Sequence, residues 1–235
     1  MDTDPLYKII SESLNDCKVC GQSVSQTLCI HNETKLIEFL SSDTPKIKIF
    51  GFSTLVRFNK ISCNELIQVL NDDNPKVVLR GLQTIVTNKF EDFFGDKGLI
   101  NSLNNLLESA EDIIVIWTLN ALYESVAFAN SDTFELALEL LKSHENYLCR
   151  ENAAALLGLM ANYGYNGSLL SLVDHCLNDK IQVRKRALLA LGEFDSSTAV
   201  NTPGFSGTLK DLFIQIARSK DLQLRQIAED LIEVG

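Results

Sequence analysis

An all-α fold, a right-handed α-α superhelix of about six to seven helix pairs, is predicted from three observations. One motif recurs at a roughly constant interval, apolar residues fall at helical spacing in both halves of each unit, and acidic turns separate the halves. The clearest copies are DDNPKVVLRGLQTIV (72–86) and NDKIQVRKRALLALGEF (178–194). In each, an acidic turn precedes a β-branched anchor, a small residue stands four later, and two further inward positions follow at seven and eight. Such spacing lies on one face of a helix.

The anchors are Val19, Ile47, Val77, Ile114, Cys149, Val183 and Leu224, with steps of 28, 30, 37, 35, 34 and 41 residues. Four residues after them stand Ser23, Gly51, Gly81, Thr118, Ala153, Ala187 and Ala228. A small side chain is required there because packed helices approach to about 8 to 10 Å. Before each anchor helix lies a second apolar-periodic segment: LYKIISESL, TKLIEFLSS, NELIQVLND, LINSLNNLLES, FELALELLKS, LLSLVDHCL and LKDLFIQIARS. The turns carry Asp16, Asp43, Asp72 with Asp73, Asp112, Asp179 and Asp221, while Pro45 and Pro75 suit a first helical turn. Residues 1–235 therefore form one repeat domain, with repeats at 5–31, 33–60, 62–90, 98–130, 133–164, 167–195 and 207–235. Two segments interrupt the period. In NKFEDFFGDK, Phe90, Phe93 and Phe94 are expected to cover a helix end, and SSTAVNTPGFS reads as a loop from its Ser, Thr, Asn, Pro and Gly content.

NDKIQVRKRALLALGEF and YLCRENAAALLGLM resemble the second helix of HEAT repeats, including the phycobilisome-lyase-like sort, and GLINSLNNLLESAEDIIVIWTLNALYE is similar to an armadillo repeat. This resemblance spans nearly the whole chain. It implies that an Arg directly after the anchor bonds to neighbouring turns. Arg150, Arg184 and Arg225 match, whereas Lys48, Val78 and Val115 depart, which puts the ladder of the middle repeats in doubt.

Composition narrows the function classes. The formal net charge is −10, and residues 1–120 hold 11 basic against 16 acidic residues, the remainder 10 against 15. Neither half has the basic balance that phosphate binding favours, so nucleic acid is disfavoured. The apolar run Ile113 to Trp117 is far short of the roughly 20 residues of a membrane span, and MDTDPLYK lacks the order of a signal peptide. A cytoplasmic location is expected, with the six cysteines as free thiols.

The sharpest metal candidate is Cys17, Cys20, Cys29 and His31, a C-x2-C followed by C-x-H. The repeat register sets the two halves at opposite ends of one helix, ~14 to 20 Å apart, so the four are weak as a zinc set, and no cofactor or metal is expected. His175 and Cys176 are neighbours on a helix, pointing about 100° apart, which disfavours a thiol-base pair. Carboxylates fall in turns and on solvent faces, and no phosphate loop, G-x-S-x-G or H-E-x-x-H occurs. No catalytic residue is therefore assigned. The run Arg184, Lys185 and Arg186 reads as a solvated face with one ladder arginine.

The binding candidates come from the second helices, which line the concave side of such a repeat stack. Two residues after the anchors, about 200° round the helix, stand Ile49, Leu79 and Ile116, then Glu151, Lys185 and Gln226. Beside the first three are Phe50, Arg80 and Trp117. An apolar stripe with an aromatic and an arginine has the composition of an interface hot spot. The expected site is thus Ile49, Phe50, Leu79, Arg80, Ile116 and Trp117, ringed by Arg57, Glu124 and Glu151, and the partner is another protein's helix or extended segment. Strong superhelix curvature burying these helices on two sides accounts for the same pattern without a partner. Two other functions compete: an accessory protein of chromophore-lyase type, holding a small molecule in the groove, and a HEAT-like nucleic-acid binder or DNA glycosylase.

Overall fold

The computed structural model describes residues 33–88 and 90–234. The first expected repeat, with Val19, Ser23, Cys17, Cys20, Cys29 and His31, lies outside them. The described residues pack as two compact units divided between Ser102 and Leu103.

In the first unit, α1 (Glu33–Leu40) precedes α2 (Pro45–Arg57), and α3 (Cys63–Leu70) precedes α4 (Pro75–Asn88). Pro45 and Pro75 open their helices, where a missing N–H leaves no bond unmade. Ser62 and Glu65 form a capping box at α3, the Ser62 N–H donating to the Glu65 carboxylate at 2.8 Å. After α2 the chain reverses through Asn59, whose φ of 53° is left-handed, and the Lys60 N–H reaches back to the Leu55 carbonyl at 2.9 Å. The core contains Leu36, Leu40, Phe52, Leu55, Leu66, Leu82 and Ile85. Both expected small positions sit at close crossings. A Cβ on Gly51 would lie 2.8 Å from the Leu36 carbonyl oxygen, and one on Gly81 would lie 2.9 Å from Val69 Cγ1. The aromatic insertion forms a 3-10 turn, Glu91–Phe93, in which the Phe90 and Phe93 rings stack at 5.0 Å and Phe94 is buried.

Helix α5 (Lys97–Leu106) contains the division between the units. The second unit continues with α6 (Asp112–Glu124), α7 (Ser131–Ser143), α8 (Tyr147–Ala161), α9 (Leu169–Asn178) and α10 (Ile181–Leu191), then α11 (Leu209–Ile216) and α12 (Leu222–Val234). Asn130 caps α7 and Thr208 caps α11, accepting from the N–H groups of Thr133 at 2.9 Å and Asp211 at 3.2 Å. Helices α7, α6 and α10 all pack on α8. The described anchors Ile47, Val77, Ile114, Cys149, Val183 and Leu224 are all buried, as are Gly51, Gly81, Thr118, Ala153, Ala187 and Ala228 four residues on.

One expectation is corrected. Residues 195–207 are not an open loop, because Ala199–Thr202 (β1) and Phe205–Thr208 (β2) pair antiparallel around Pro203 and Gly204. The Pro-Gly pair supplies a tight turn, Val200 is buried, and the Leu209 and Lys210 N–H groups bond to the Thr198 and Ser196 carbonyls at 3.0 and 2.9 Å.

Candidate partner-binding surface

The second helices α2, α4, α6 and α8 carry the expected site. In the first unit, Ile49 and Leu79 are half-buried. Phe50, also half-buried, packs on Phe39 with ring centroids 6.3 Å apart, so it belongs partly to the α1–α2 contact. Arg57 and Arg80 are exposed, and the Arg80 Nε donates to Ser53 Oγ at 3.0 Å. In the second unit, Ile116, Trp117 and Glu151 are half-buried and Glu124 is exposed. Each of these positions therefore retains accessible surface on its own unit, in contrast to the fully packed anchors beside them.

A second feature is the set of turns joining first to second helices. Lys48 and Asp72 form an ion pair, and Lys185 approaches Asp221 at 3.7 Å. Arg150 is the centre of the strongest of these arrangements. Its Nε and Nη2 donate to the two Asp179 oxygens at 2.8 and 2.6 Å, and its Nη1 donates to the carbonyls of His144 at 2.7 Å and Glu145 at 3.0 Å. The ladder thus reaches Lys48, where the resemblance put it in doubt. A lysine one residue after the anchor is long enough to serve the next turn. Val78 and Val115 are buried and take no part, while Arg184 bonds to the Cys176 carbonyl at 2.9 Å and the buried Arg225 Nε has no partner among the described residues.

His175 Nδ1 lies 2.8 Å from Asp179 Oδ2, the oxygen that also accepts from Arg150 Nε. Burial alone would push the Asp179 carboxyl up. Hydrogen bonds from Arg150, the Lys180 N–H and His175, with the Arg150 charge, outweigh that and hold it well below the usual carboxylate range. A carboxyl lowered on folding stabilises the fold fully above its unfolded value and loses that contribution as pH falls. Asp179→Asn should accordingly be less stable than the parent at neutral pH, the gap closing as pH drops below about 4. Urea melts followed by fluorescence of Trp117, the only tryptophan in the sequence, would record it.

Asp112, His144 and Cys149 bring potential metal-ligand atoms within 4.8 Å of one another. Sequence spacing gave no sign of this group, since Cys149 stands at an anchor position. The His144 Nδ1 accepts from the Asn146 N–H at 3.1 Å, which places the ring proton on Nε2, the nitrogen facing Asp112 Oδ1 at 3.8 Å. A metal at Nε2 requires the opposite tautomer, which would set two N–H groups against each other. Burial and the Asp112 carboxylate push the Cys149 thiol up to about 11, as burial pushes Cys176 up to about 12. These features fit a hydrogen-bonded turn, not a ligand set.

His175 and Cys176 do not work together: the imidazole faces Asp179 and the thiol is in the core. Among the described residues no helix is long and apolar enough to cross a membrane.

No protein-family model matches the chain, and no curated protein matches it. Solved structures do. An engineered protein is similar at a TM-score of 0.65 and 16% identity, over 86% of this chain and 95% of that one. A designed armadillo repeat protein gives 0.65 and 14%, over 85% and 98%. A second designed armadillo repeat protein, in complex with the peptide (KR)4, gives 0.64 and 13%, over 85% and 97%. At these identities the likeness shows the fold alone, an all-α helical repeat of armadillo and HEAT type.

Proposed function

We propose that this chain is a non-enzymatic scaffold that binds a segment of another protein along its second helices. The observation that carries the reading is the half-burial of Ile49 and Leu79 in the first unit and of Ile116 in the second, each two residues after its anchor, with Trp117 half-buried beside Ile116. Large apolar groups left partly accessible at a repeated position form the type of surface that partner segments cover. Arg57, Arg80, Glu124 and Glu151 supply charge around them. The armadillo-type likeness supports the reading, one such neighbour having been solved with a peptide. The basic run that nucleic-acid binding would use is divided, with Arg184 on a carbonyl and Lys185 on Asp221 and Gln223, leaving Arg186.

Affinity purification from lysate with nuclease present tests it, comparing the parent with a Leu79→Glu, Ile116→Glu double variant whose helicity is checked by circular dichroism. A stoichiometric protein captured by the parent and lost in the variant is the expected result. An identical partner set in both would overturn the surface assignment.

A further inference from the structure

The second helices of the 103–235 unit enclose a hollow that the sequence pattern did not reveal. Its floor is Ala155 and Gly158 of α8 and Ala190 of α10, and its walls are Tyr123, Leu159 and Leu189. The floor is shallow and smooth because α8 and α10 touch through Gly158 and Ala190. Tyr123 and Leu189 stand 38% and 44% exposed above it. The hollow measures about 70 Å³. It is open to solvent, and its apolar lining suits the end of an aliphatic side chain.

Charge defines the rim. Arg186 lies three residues after the anchor Val183, as Arg80 lies three after Val77. Arg80 is satisfied by Ser53, six residues after the anchor of the preceding repeat. The residue six after Cys149 is Ala155, which has no acceptor to offer. Arg186 lines the hollow beside Ala155, exposed and without a hydrogen bond or ion pair among the described residues. At the same hollow one Glu193 oxygen accepts from Asn162 Nδ2 at 2.8 Å, which leaves its negative charge in place, and among the described residues it makes no ion pair with Arg186. The rim thus presents an unengaged guanidinium, which prefers the forked geometry of a carboxylate.

We infer that this hollow anchors a peptide segment carrying a Leu, Ile, Val or Met next to an Asp or Glu, the aliphatic end over Ala155 and Gly158 and the carboxylate on Arg186. The inference rests on the scaffold reading above and names the partner's chemistry at one subsite. Both halves are needed: the hollow gives position, and the ion pair selects the neighbouring residue.

The test is selection of phage-displayed random dodecapeptides on the full chain, run in parallel with Arg186→Glu and Arg186→Gln. Arg186 is exposed and unpaired, so both variants keep the fold. The parent should enrich peptides with an acid within two residues of an aliphatic side chain. A representative peptide should then bind Arg186→Gln roughly 2- to 5-fold more weakly by fluorescence anisotropy, and Arg186→Glu more weakly still. Acidic-aliphatic peptides binding all three proteins alike would overturn the inference, as would enrichment of basic or uncharged peptides, and in either case peptide binding itself would stand. No enrichment by any of the three would overturn both the subsite and the scaffold reading.

Discussion

Replacing Arg150 with alanine should lower the unfolding free energy of the 103–235 unit by about 2 to 3 kcal/mol, below the ~3 to 5 kcal/mol for a fully buried pair because this one is partly buried. The side chains of Arg150 and Asp179 are only 14% and 8% exposed. Losing Arg150 would also strip donors from the His144 and Glu145 carbonyls. The pair itself need not be strongly stabilising, because both charges are taken from water to form it. The informative comparison is therefore the double replacement Arg150→Leu, Asp179→Leu, which should recover much of the loss. Trp117 fluorescence in urea reports on this unit, since the tryptophan lies within it. A midpoint for Arg150→Ala equal to the parent's would show that the pair is solvated and contributes little.

The second large effect is expected at Gly158. A Cβ there would lie 2.5 Å from Ala190 Cβ and 2.6 Å from its Cα, and a backbone atom has no rotamer by which to retreat. Gly158→Val should therefore push α8 and α10 apart and destabilise the unit by about 3 kcal/mol. Gly158→Ala should lose less, because alanine's helix propensity offsets roughly 1 kcal/mol. A Cβ on Gly204, in the same unit, would meet only Leu177 Cδ1 at 3.6 Å, an ordinary contact, so Gly204→Ala serves as the control. The same urea melts measure all three.

Gly158 also shows what the sequence conveys and what it does not. The anchors and the small residues four positions later were readable, because helix pairing requires an apolar residue and a close approach in every copy. Gly158 falls outside that pattern, nine residues after Cys149, and its need is set by the following repeat through Ala190. The hairpin was missed because short polar strands around Pro203 and Gly204 have the composition of a loop, and only the burial of Val200 distinguishes them. The substitute ladder at Lys48 was missed because a family pattern specifies arginine, whereas the geometry requires only a cation of sufficient reach to Asp72.

The binding surface divides in the same way. Ile49, Leu79, Ile116 and Trp117 come directly from spacing. The Arg186 hollow depends on a relation between repeats, the residue three after one anchor against the residue six after the previous one. The residue types stand in the sequence, Ser53 against Arg80 and Ala155 against Arg186, but that these two positions meet is shown by the Arg80–Ser53 hydrogen bond.

The buried cysteines give the chain an internal clock. Alkylating reagents attack the thiolate, and a thiol raised to about 12, as at Cys176, is almost wholly protonated at neutral pH as well as sealed in the core. Cys176 and Cys149 are therefore modified only at the moments when α9 or α8 opens. Cys63, half-buried in the first unit and raised by burial and by Asp96, reports on its own surroundings. The order in which these thiols react measures how often each part of the repeat array breathes, without any label being introduced.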